Sequence, residues 1–286
     1  MKNMSYIILL LVSLSLLMTS CKTAQASGGT HVVIAGSTSV QPYAELLAEE
    51  YSLKNSGIID VQGGGSSQGI KAAKDGTAHI GTSSRSLKED EKAELWSVTI
   101  AKDGLALIMH PSNPVENLSS EQIRDIYKGE ITNWSQVGGK NAKIHIISRE
   151  EGSGTRAAFE EMVMTYKDSE GESVTDFISP KAIVQNTNGA IRQLVTDDAN
   201  AIGYISLGLV DSEGELGLKP IKPLSIDGVA PTLENVRNQS YGLYREFLFV
   251  MFGEPSKATS DFINYVLSAE GQQLLVDEGL VSLQDD

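Results

Sequence analysis

At 286 residues the chain is longer than most single domains, so its length favours two globular lobes. Its 41% hydrophobic and 21% charged residues are ordinary for a soluble protein and argue against a disordered or multi-span membrane chain. The formal charge of −14 argues against nucleic acid or an anionic membrane surface as partner. Because charges are screened beyond about 8 Å at physiological salt, donors placed inside a cleft can still hold an anion.

The N-terminal segment differs from the rest of the chain. Its apolar run, Ile7–Met18, is too short for a comfortable membrane span, so residues 1–20 are predicted to be a signal peptide. Cys21 is the only cysteine, which excludes an internal disulfide. Leu17–Cys21 resembles a bacterial lipobox, and this resemblance implies lipidation of Cys21 ahead of a polar tether over residues 21–29. The alternative is an ordinary signal peptide with an incidental cysteine.

Three predicted strands in the first part of the chain each end in a loop rich in glycine, serine or threonine. The strands are His31–Ala35, Ile58–Gln62 and His79–Thr82, and the loops are 36–39, 63–67 and 83–85. Strands that alternate with helices predict an α/β fold with a mostly parallel sheet. Ligands of such sheets bind beyond the carboxyl ends of the strands, so these loops are candidate ligand contacts.

The fourth loop of this kind, Arg149–Arg156, carries the strongest signal. It joins a predicted strand over residues 142–148 to a helix that begins at Ser153. Ser153 and Thr155 bring hydroxyls to a helix start, where free amides and the helix dipole favour an anion. Arg149 adds a bidentate guanidinium fork. The loop suits a small tetrahedral oxyanion, although on its own it is equally consistent with a well-capped helix.

Two features predict where the chain crosses between lobes. The break at His110–Pro114, after a predicted strand at Leu105–Met109, marks the first crossing. The strongly apolar strand Phe247–Phe252 carries the chain back. The predicted first lobe is residues 30–109 with 247–286, and the predicted second lobe is residues 110–246.

One segment is also consistent with an enzyme. Gly65–Gly69 matches the G-x-S-x-G nucleophile elbow of serine hydrolases, with Ser67 as the nucleophile. Such an enzyme needs a later acid and then a histidine, but no histidine follows His145, so hydroxyl and amide donors to an oxyanion are the favoured interpretation. The histidines show no ligand spacing and there is no cysteine pair, so no metal and no cofactor is predicted.

In combination, these segments resemble the phosphate-binding lipoproteins of the phosphate-specific (Pst) ABC importers, over nearly all of residues 30–286. The segments that carry the resemblance are Ala35–Val40, Gly64–Gly69, Ile131–Ser135 ahead of Gly138 and Gly139, Ser148–Arg156 and Asn200–Tyr204. The resemblance implies a two-lobed type II periplasmic-binding-protein fold, in which each lobe is a mostly parallel sheet flanked by helices. It also implies that the lobes close on inorganic phosphate in the cleft between them.

Position by position, the resemblance implies a set of phosphate ligands shared by the two lobes. They are Thr38, Ser39, Ser66, Ser84 and Arg85 from the first lobe, and Arg149, Ser153, Gly154 and Thr155 from the second. Glu151 stands where the family often has an acid that orients the arginine. Ser84 stands where some members have an aspartate that accepts the proton of phosphate and rejects sulfate, which leaves Glu45, Glu150 or Glu151 as possible acceptors. Arg85 could instead be a surface residue or form an interlobe salt bridge.

The sequence therefore predicts a solute-binding protein and not an enzyme. The expected form is an extracytoplasmic monomer held at the membrane only by its lipid anchor. Its expected partners are inorganic phosphate and an ABC permease with its ATPase. The alternatives are a binding protein for sulfate or molybdate, a serine hydrolase or phosphatase, and a sensor or adhesin on the same scaffold.

Overall fold

The structure is a computed structural model that describes residues 31–210 and 220–283. The predicted signal peptide (1–20), the tether (21–29) and the lipidation site Cys21 lie outside these ranges, and they stay predictions. Within the described ranges, no helix is both long enough and apolar enough to cross a bilayer.

Strands and helices alternate along most of the chain, which confirms the predicted α/β class. The strands are β1 (His31–Gly36), β2 (Ile58–Gly63), β3 (Ile80–Ser83), β4 (Trp96–Met109), β5 (Asn117–Leu118), β6 (His145–Arg149), β7 (Thr165–Lys167), β8 (Ser173–Thr175), β9 (Ile183–Gln185), β10 (Ala201–Ser206), β11 (Lys222–Pro223), β12 (Ser225–Ile226) and β13 (Tyr244–Met251). The helices are α1 (Gln41–Lys54), α2 (Ser66–Lys74), α3 (Glu89–Lys92), α4 (Ser120–Lys128), α5 (Gly154–Phe159), α6 (Asn188–Asp197), α7 (Leu233–Arg237), α8 (Lys257–Val266) and α9 (Ala269–Asp277). A π-helical turn over Glu160–Met164 extends α5.

A single mixed sheet runs through both lobes, in the order β2-β1-β3-β13-β4-β10-β6-β9. In the first lobe β1 lies parallel to β2 and β3, and β13 is antiparallel to β3 and β4. In the second lobe β6 lies parallel to β9 and β10, and β10 is antiparallel to β4. The parallel strands of each lobe end at the cleft, so the loops that follow them face each other.

The long strand β4 belongs to both lobes. Its residues from Trp96 to Gly104 pair with β13, and its residues from Leu105 to Met109 pair with β10. The first crossing therefore lies inside β4, before the predicted break at His110–Pro114, which is instead a turn beyond the end of the strand. The sequence does not show that β4 begins well before Leu105, because Asp103 is a poor strand residue. In the structure Asp103 is buried beside Arg245, the residue with which it pairs on β13.

The two hydrophobic cores divide at the same place. Ile100 and Ala101 pack in the first core, whereas the buried run that begins at Leu105 packs in the second. On the return path, Leu243 just before β13 belongs to the second core and Phe247 on β13 to the first. Each lobe thus has its own core, and the lobes are joined through β4 and β13.

A close approach of glycines sets the edge of the first lobe. A Cβ atom on Gly69 of α2 would lie only 2.6 Å from the Gly36 Cα at the end of β1. A Cβ atom on Gly81 of β3 would collide with the Gly69 carbonyl. Because glycine occupies all three positions, α2 lies directly on the strands. The starts of α1 and α2 and the loop after β3 therefore meet at one edge.

Candidate functional site

Three buried serines from different loops form a hydrogen-bonded cluster on the first lobe. The Ser37 hydroxyl donates to Ser84 Oγ at 2.8 Å, and the Ser84 backbone N–H donates to Ser66 Oγ at 3.0 Å. Each of the three is 2% exposed or less. The sequence predicted Ser66 and Ser84 as site residues but missed Ser37, whose hydroxyl supports both Ser84 and the Ser39 backbone N–H. The cluster ties the three loops to one another.

Arg149, at the carboxyl end of β6, is 1% exposed. Its Nη2 atom donates to Thr38 Oγ1 at 2.9 Å and to the Asn186 carbonyl at 3.0 Å. Its Nη1 atom is buried and has no hydrogen-bond partner among the described residues. A buried guanidinium nitrogen without a partner is costly, so this atom is a candidate contact for an anion.

The backbone of Arg149 is fixed from both sides. Its N–H donates to the Tyr204 hydroxyl at 3.3 Å, and its carbonyl accepts from Arg156 Nη1 at 3.3 Å. Tyr204 also bonds Ser148 Oγ at 2.8 Å and stacks on Phe159, with ring centroids 4.2 Å apart. Burial raises the pKa of the Tyr204 hydroxyl to about 12, so it stays protonated at neutral pH.

The acid that holds the arginine is Glu150 and not Glu151, which corrects the prediction. Arg149 Nε donates to Glu150 Oε2 at 2.9 Å, and Nη2 donates to Oε1 at 3.0 Å. Glu151 is exposed in the turn that leads to α5. The sequence could place an acid next to the arginine, but it could not tell which of two adjacent side chains turns back along β6.

Ser153 and Thr155 lie at the start of α5, as predicted. Ser153 caps the helix, because its Oγ accepts the Arg156 backbone N–H at 3.3 Å. A hydroxyl that accepts in this way keeps its own proton for another acceptor. Both side chains are at most 3% exposed. The Ser153 proton is thus available to another acceptor at the helix start.

The two lobes are in direct contact across the cleft. Ser39 Oγ lies 2.7 Å from Thr155 Oγ1, and the Ser67 backbone N–H donates to the Gly152 carbonyl at 3.1 Å. Gly154 lies against the serine cluster, so a Cβ there would collide with Ser66 Oγ and lie 2.6 Å from Ser84 Oγ. The loops predicted to converge do so, and the lobes are closed on each other.

Arg85 does not join this arrangement through an ion pair across the cleft. Its Nη1 and Nη2 atoms donate to the two carboxylate oxygens of Glu91 at 2.8 and 2.9 Å, within the first lobe. Its Nη2 lies 3.5 Å from Ser67 Oγ. At 7% exposure it is not a surface residue either, so both alternatives for Arg85 are wrong. Direct contact with a ligand stays a prediction.

The described residues give no support to a hydrolase at Ser67. The four histidines are engaged elsewhere: His31 with Asp60, His79 with the Val33 N–H, His110 with Ser112, and His145 with Asp198. Glu45, one of the proton acceptors left open, is exposed and bonds Gln41. Among the described residues, no cluster of acidic, histidine or cysteine side chains could hold a metal ion.

Two lobes that close on a shared set of buried donors define a solute-binding protein. Residues 22–270 match the PBP superfamily domain. A solved structure from Clostridium perfringens, described as a phosphate ABC transporter substrate-binding protein with bound phosphate, is 42% identical, with a TM-score of 0.80. The match covers 89% of this chain and 100% of that one.

Other relatives of this chain are also named as phosphate-binding or phosphate transport proteins. An ABC-type phosphate transport receptor from Vibrio cholerae is 37% identical with a TM-score of 0.70, over 87% of this chain and 99% of that one. The phosphate-binding protein PstS of Bacillus subtilis is 28% identical over 93% of this chain and 85% of its own length. The chain therefore belongs to the PBP superfamily and, within it, to the phosphate-binding proteins of the Pst ABC importers. Its architecture is the type II fold of that superfamily.

Proposed function

We propose that this protein captures inorganic phosphate in the interlobe cleft and delivers it unchanged to an ABC permease. The observation that carries this proposal is the unpartnered Nη1 atom of buried Arg149, which lies in a site lined by hydroxyls of both lobes. A tetrahedral oxyanion supplies the missing acceptor and accepts from the hydroxyls as well. The relatives named as phosphate-binding support phosphate over other oxyanions.

The hydroxyls are set to donate. Thr38 Oγ1 accepts from Arg149, Ser66 Oγ accepts from the Ser84 N–H, and Ser153 Oγ accepts from the Arg156 N–H. Each of these oxygens has one of its lone pairs occupied, so its proton can go to another acceptor. For Ser66 that acceptor can also be Ser84 Oγ, at 3.4 Å. The proposed ligands are Thr38, Ser39, Ser66, Ser84, Arg85, Arg149, Ser153, Gly154 and Thr155. An anion is thus held mostly by local dipoles, which suits a chain of charge −14.

Binding and closure are one process in this mechanism. The donors come from both lobes, so an anion gains its full set of hydrogen bonds only when the lobes meet. Phosphate therefore shifts the population towards the closed state, by as much as its affinities for the two states differ. The strands β4 and β13, which join the lobes, are where the backbone must bend.

The proposal includes the location of the protein. A lipid anchor at Cys21 and the tether of residues 21–29 keep the protein outside the cytoplasm and close to the permease, as a monomer. Two acyl chains hold a protein stably at a membrane, whereas one does not. Replacement of Cys21 by serine is expected to release the protein from membranes into the soluble fraction, which fractionation and immunoblotting measure.

Titration calorimetry on residues 22–286 tests the ligand. We expect phosphate and its close analogue arsenate to bind, and sulfate and molybdate not to displace phosphate. Competition at two pH values on either side of neutrality adds a second measurement, because phosphate changes protonation in that range and sulfate does not. Tighter binding of sulfate or molybdate than of phosphate would contradict the proposal.

A further inference from the structure

The side chain of Asn188 crosses from the second lobe to the first. It lies at the start of α6 and is 4% exposed. Its Nδ2 atom lies 3.0 Å from Ser39 Oγ and 3.5 Å from the Thr38 carbonyl, and its Oδ1 accepts the Ser206 backbone N–H at 3.4 Å. A carbonyl can only accept and a backbone N–H can only donate, so these neighbours fix which end of the amide faces Ser39.

This orientation controls the protons of the hydroxyl pair that bridges the cleft. Ser39 and Thr155 carry one hydroxyl proton each, and the hydrogen bond between them at 2.7 Å uses one of these. Asn188 presents an N–H to Ser39 Oγ, so the second proton has no acceptor in that direction. Whichever hydroxyl donates within the pair, one proton is left for an acceptor in the cleft.

We infer that Asn188 is a positioning residue for the bound anion, which keeps one Ser39–Thr155 proton directed at the ligand. The inference rests on the proposed function and names a residue of that site that acts without touching the ligand itself. The physical basis of this role is that the oxygens of an oxyanion accept hydrogen bonds. A hydroxyl that pointed the wrong way would turn a lone pair towards a negatively charged oxygen instead of donating a proton to it.

The same side chain links the cleft to the strands that join the lobes. Asn188 accepts from the Ser206 N–H, and the Ser206 hydroxyl donates to Asp103 Oδ1 at 2.7 Å. Asp103 in turn accepts from Arg245 on β13. A continuous path of hydrogen bonds therefore runs from the Ser39 loop to the crossing point. Asn188 holds the first lobe in place only when the cleft is closed, since Ser39 and Asn188 belong to different lobes.

Two substitutions of Asn188 separate positioning from packing. Asn188→Asp keeps the size and shape of the side chain, but its carboxylate takes the Ser39 proton. The remaining Thr155 proton cannot then serve both Ser39 and the anion. Asn188→Ala removes the side chain but leaves the hydroxyl pair its spare proton. We expect Asn188→Ala to weaken phosphate binding about tenfold, the factor for one neutral hydrogen bond, and Asn188→Asp about a hundredfold or more.

The test is which of the two variants loses more phosphate affinity, as measured by calorimetry. Thermal unfolding of the ligand-free proteins shows whether each variant is folded. A residue that only fills space would give the reverse order, because the isosteric aspartate disturbs packing less than alanine. Asn264→Asp, exposed on α8, controls for the change in net charge only and is expected to bind like the wild type. Equal or tighter binding by Asn188→Asp than by Asn188→Ala overturns the inference.

A double-mutant cycle covers the case in which Asn188→Asp fails to fold. If Asn188 acts through Ser39, then Asn188→Ala should cost little further affinity once Ser39→Ala has removed the hydroxyl. Fully additive losses overturn the inference and leave the phosphate proposal standing. A wild-type protein that binds neither phosphate nor another tetrahedral oxyanion overturns both, so the two failures are distinguishable.

Discussion

Two buried arginines, one in the cleft and one where the lobes join, each bond a carboxylate through Nε and Nη2. Arg149 bonds the two carboxylate oxygens of Glu150 at 2.9 and 3.0 Å, and Arg245 bonds one carboxylate oxygen of Asp103, Oδ2, at 3.0 and 2.9 Å. In each, Nη1 is buried without a partner among the described residues. The chemistry of the two arginines is alike, so their surroundings must decide what they do.

The carboxylates differ in their access to water. The Glu150 side chain is 27% exposed, whereas Asp103 is fully buried. Burial raises the pKa of the Asp103 carboxyl and lowers that of Arg245, and the attraction between the two charges opposes both shifts. Asp103 therefore needs Arg245 permanently, since a lone buried charge is very costly. Glu150 is partly stabilised by solvent, which leaves more of the Arg149 charge for an anion.

The largest expected effect is on stability, at the junction. Asp103→Ala leaves the Arg245 guanidinium buried without its carboxylate, so we expect the free energy of unfolding to fall by roughly 3–5 kcal/mol. Urea denaturation of the ligand-free protein measures this loss. Glu150→Ala is the matched comparison and should cost less than Asp103→Ala, because water can enter where the 27% exposed carboxylate stood and Arg149 keeps its bonds to Thr38 and Asn186. Similar losses for both variants would show that both pairs are structural.

Substitution of the cleft arginine, Arg149, should mainly reduce phosphate affinity and not stability. Arg149→Ala removes the buried guanidinium whose unpartnered Nη1 is the proposed ligand contact, so phosphate affinity should fall by at least about 2 kcal/mol. Calorimetry checks the value, and Arg237→Ala, on the exposed face of α7, controls for the loss of a positive charge. Unchanged affinity in Arg149→Ala would refute the site assignment.

The comparison also explains what the sequence could and could not predict. Local patterns sufficed for the loops: a strand, a run of small hydroxyl residues and a helix start predicted that Thr38, Ser66 and Ser153 would converge. The crossing was misplaced because Lys102 and Asp103 break the apolar pattern of β4. Arg245 and Ser206, both far away in the chain, make the burial of Asp103 possible. Pairings between distant side chains leave no local signal.

The same limit applies to side-chain direction. Two adjacent glutamates, Glu150 and Glu151, are equivalent in the sequence, and only the backbone turn after β6 decides which one reaches Arg149. Arg85 likewise follows a loop of the right composition, but α3 brings Glu91 to its guanidinium. Asn188 has an ordinary local role at a helix start, so its contact with Ser39 across the cleft was not predicted.

A methyl group in the cleft should weaken binding by a smaller amount. In Gly154→Ala the new Cβ meets Ser66 and Ser84 only when the lobes are closed, so the substitution penalises closure. Overpacking of this kind costs about 1–3 kcal/mol, and phosphate affinity should fall accordingly. Gly189→Ala, in the first turn of α6, is the matched control because its Cβ would meet no atom within 4 Å. Equal affinities for the two variants would place Gly154 outside the closed contact.

The smallest expected effect is on stability and comes from a third pair, Arg85 with Glu91. The exposure of the Glu91 carboxylate lies between that of Asp103 and that of Glu150. Hydrogen bonds from Arg85 lower the pKa of Glu91, whose side chain is 17% exposed. The folded protein therefore binds fewer protons here than the unfolded chain does. The stabilisation is present above the unfolded pKa of about 4.3 and is lost as the pH falls through the lower folded value.

Glu91→Gln isolates this contribution. At pH 6 we expect the variant to be less stable than the wild type by about 1 kcal/mol, a typical value for an ion pair that is not fully buried. The difference should shrink as the pH is lowered below 4, because the wild-type carboxyl then becomes neutral like the amide. Denaturation curves of both proteins at several pH values measure it. A difference that is constant with pH would mean that Glu91 acts through shape and hydrogen bonding, and not through its charge as Asp103 does.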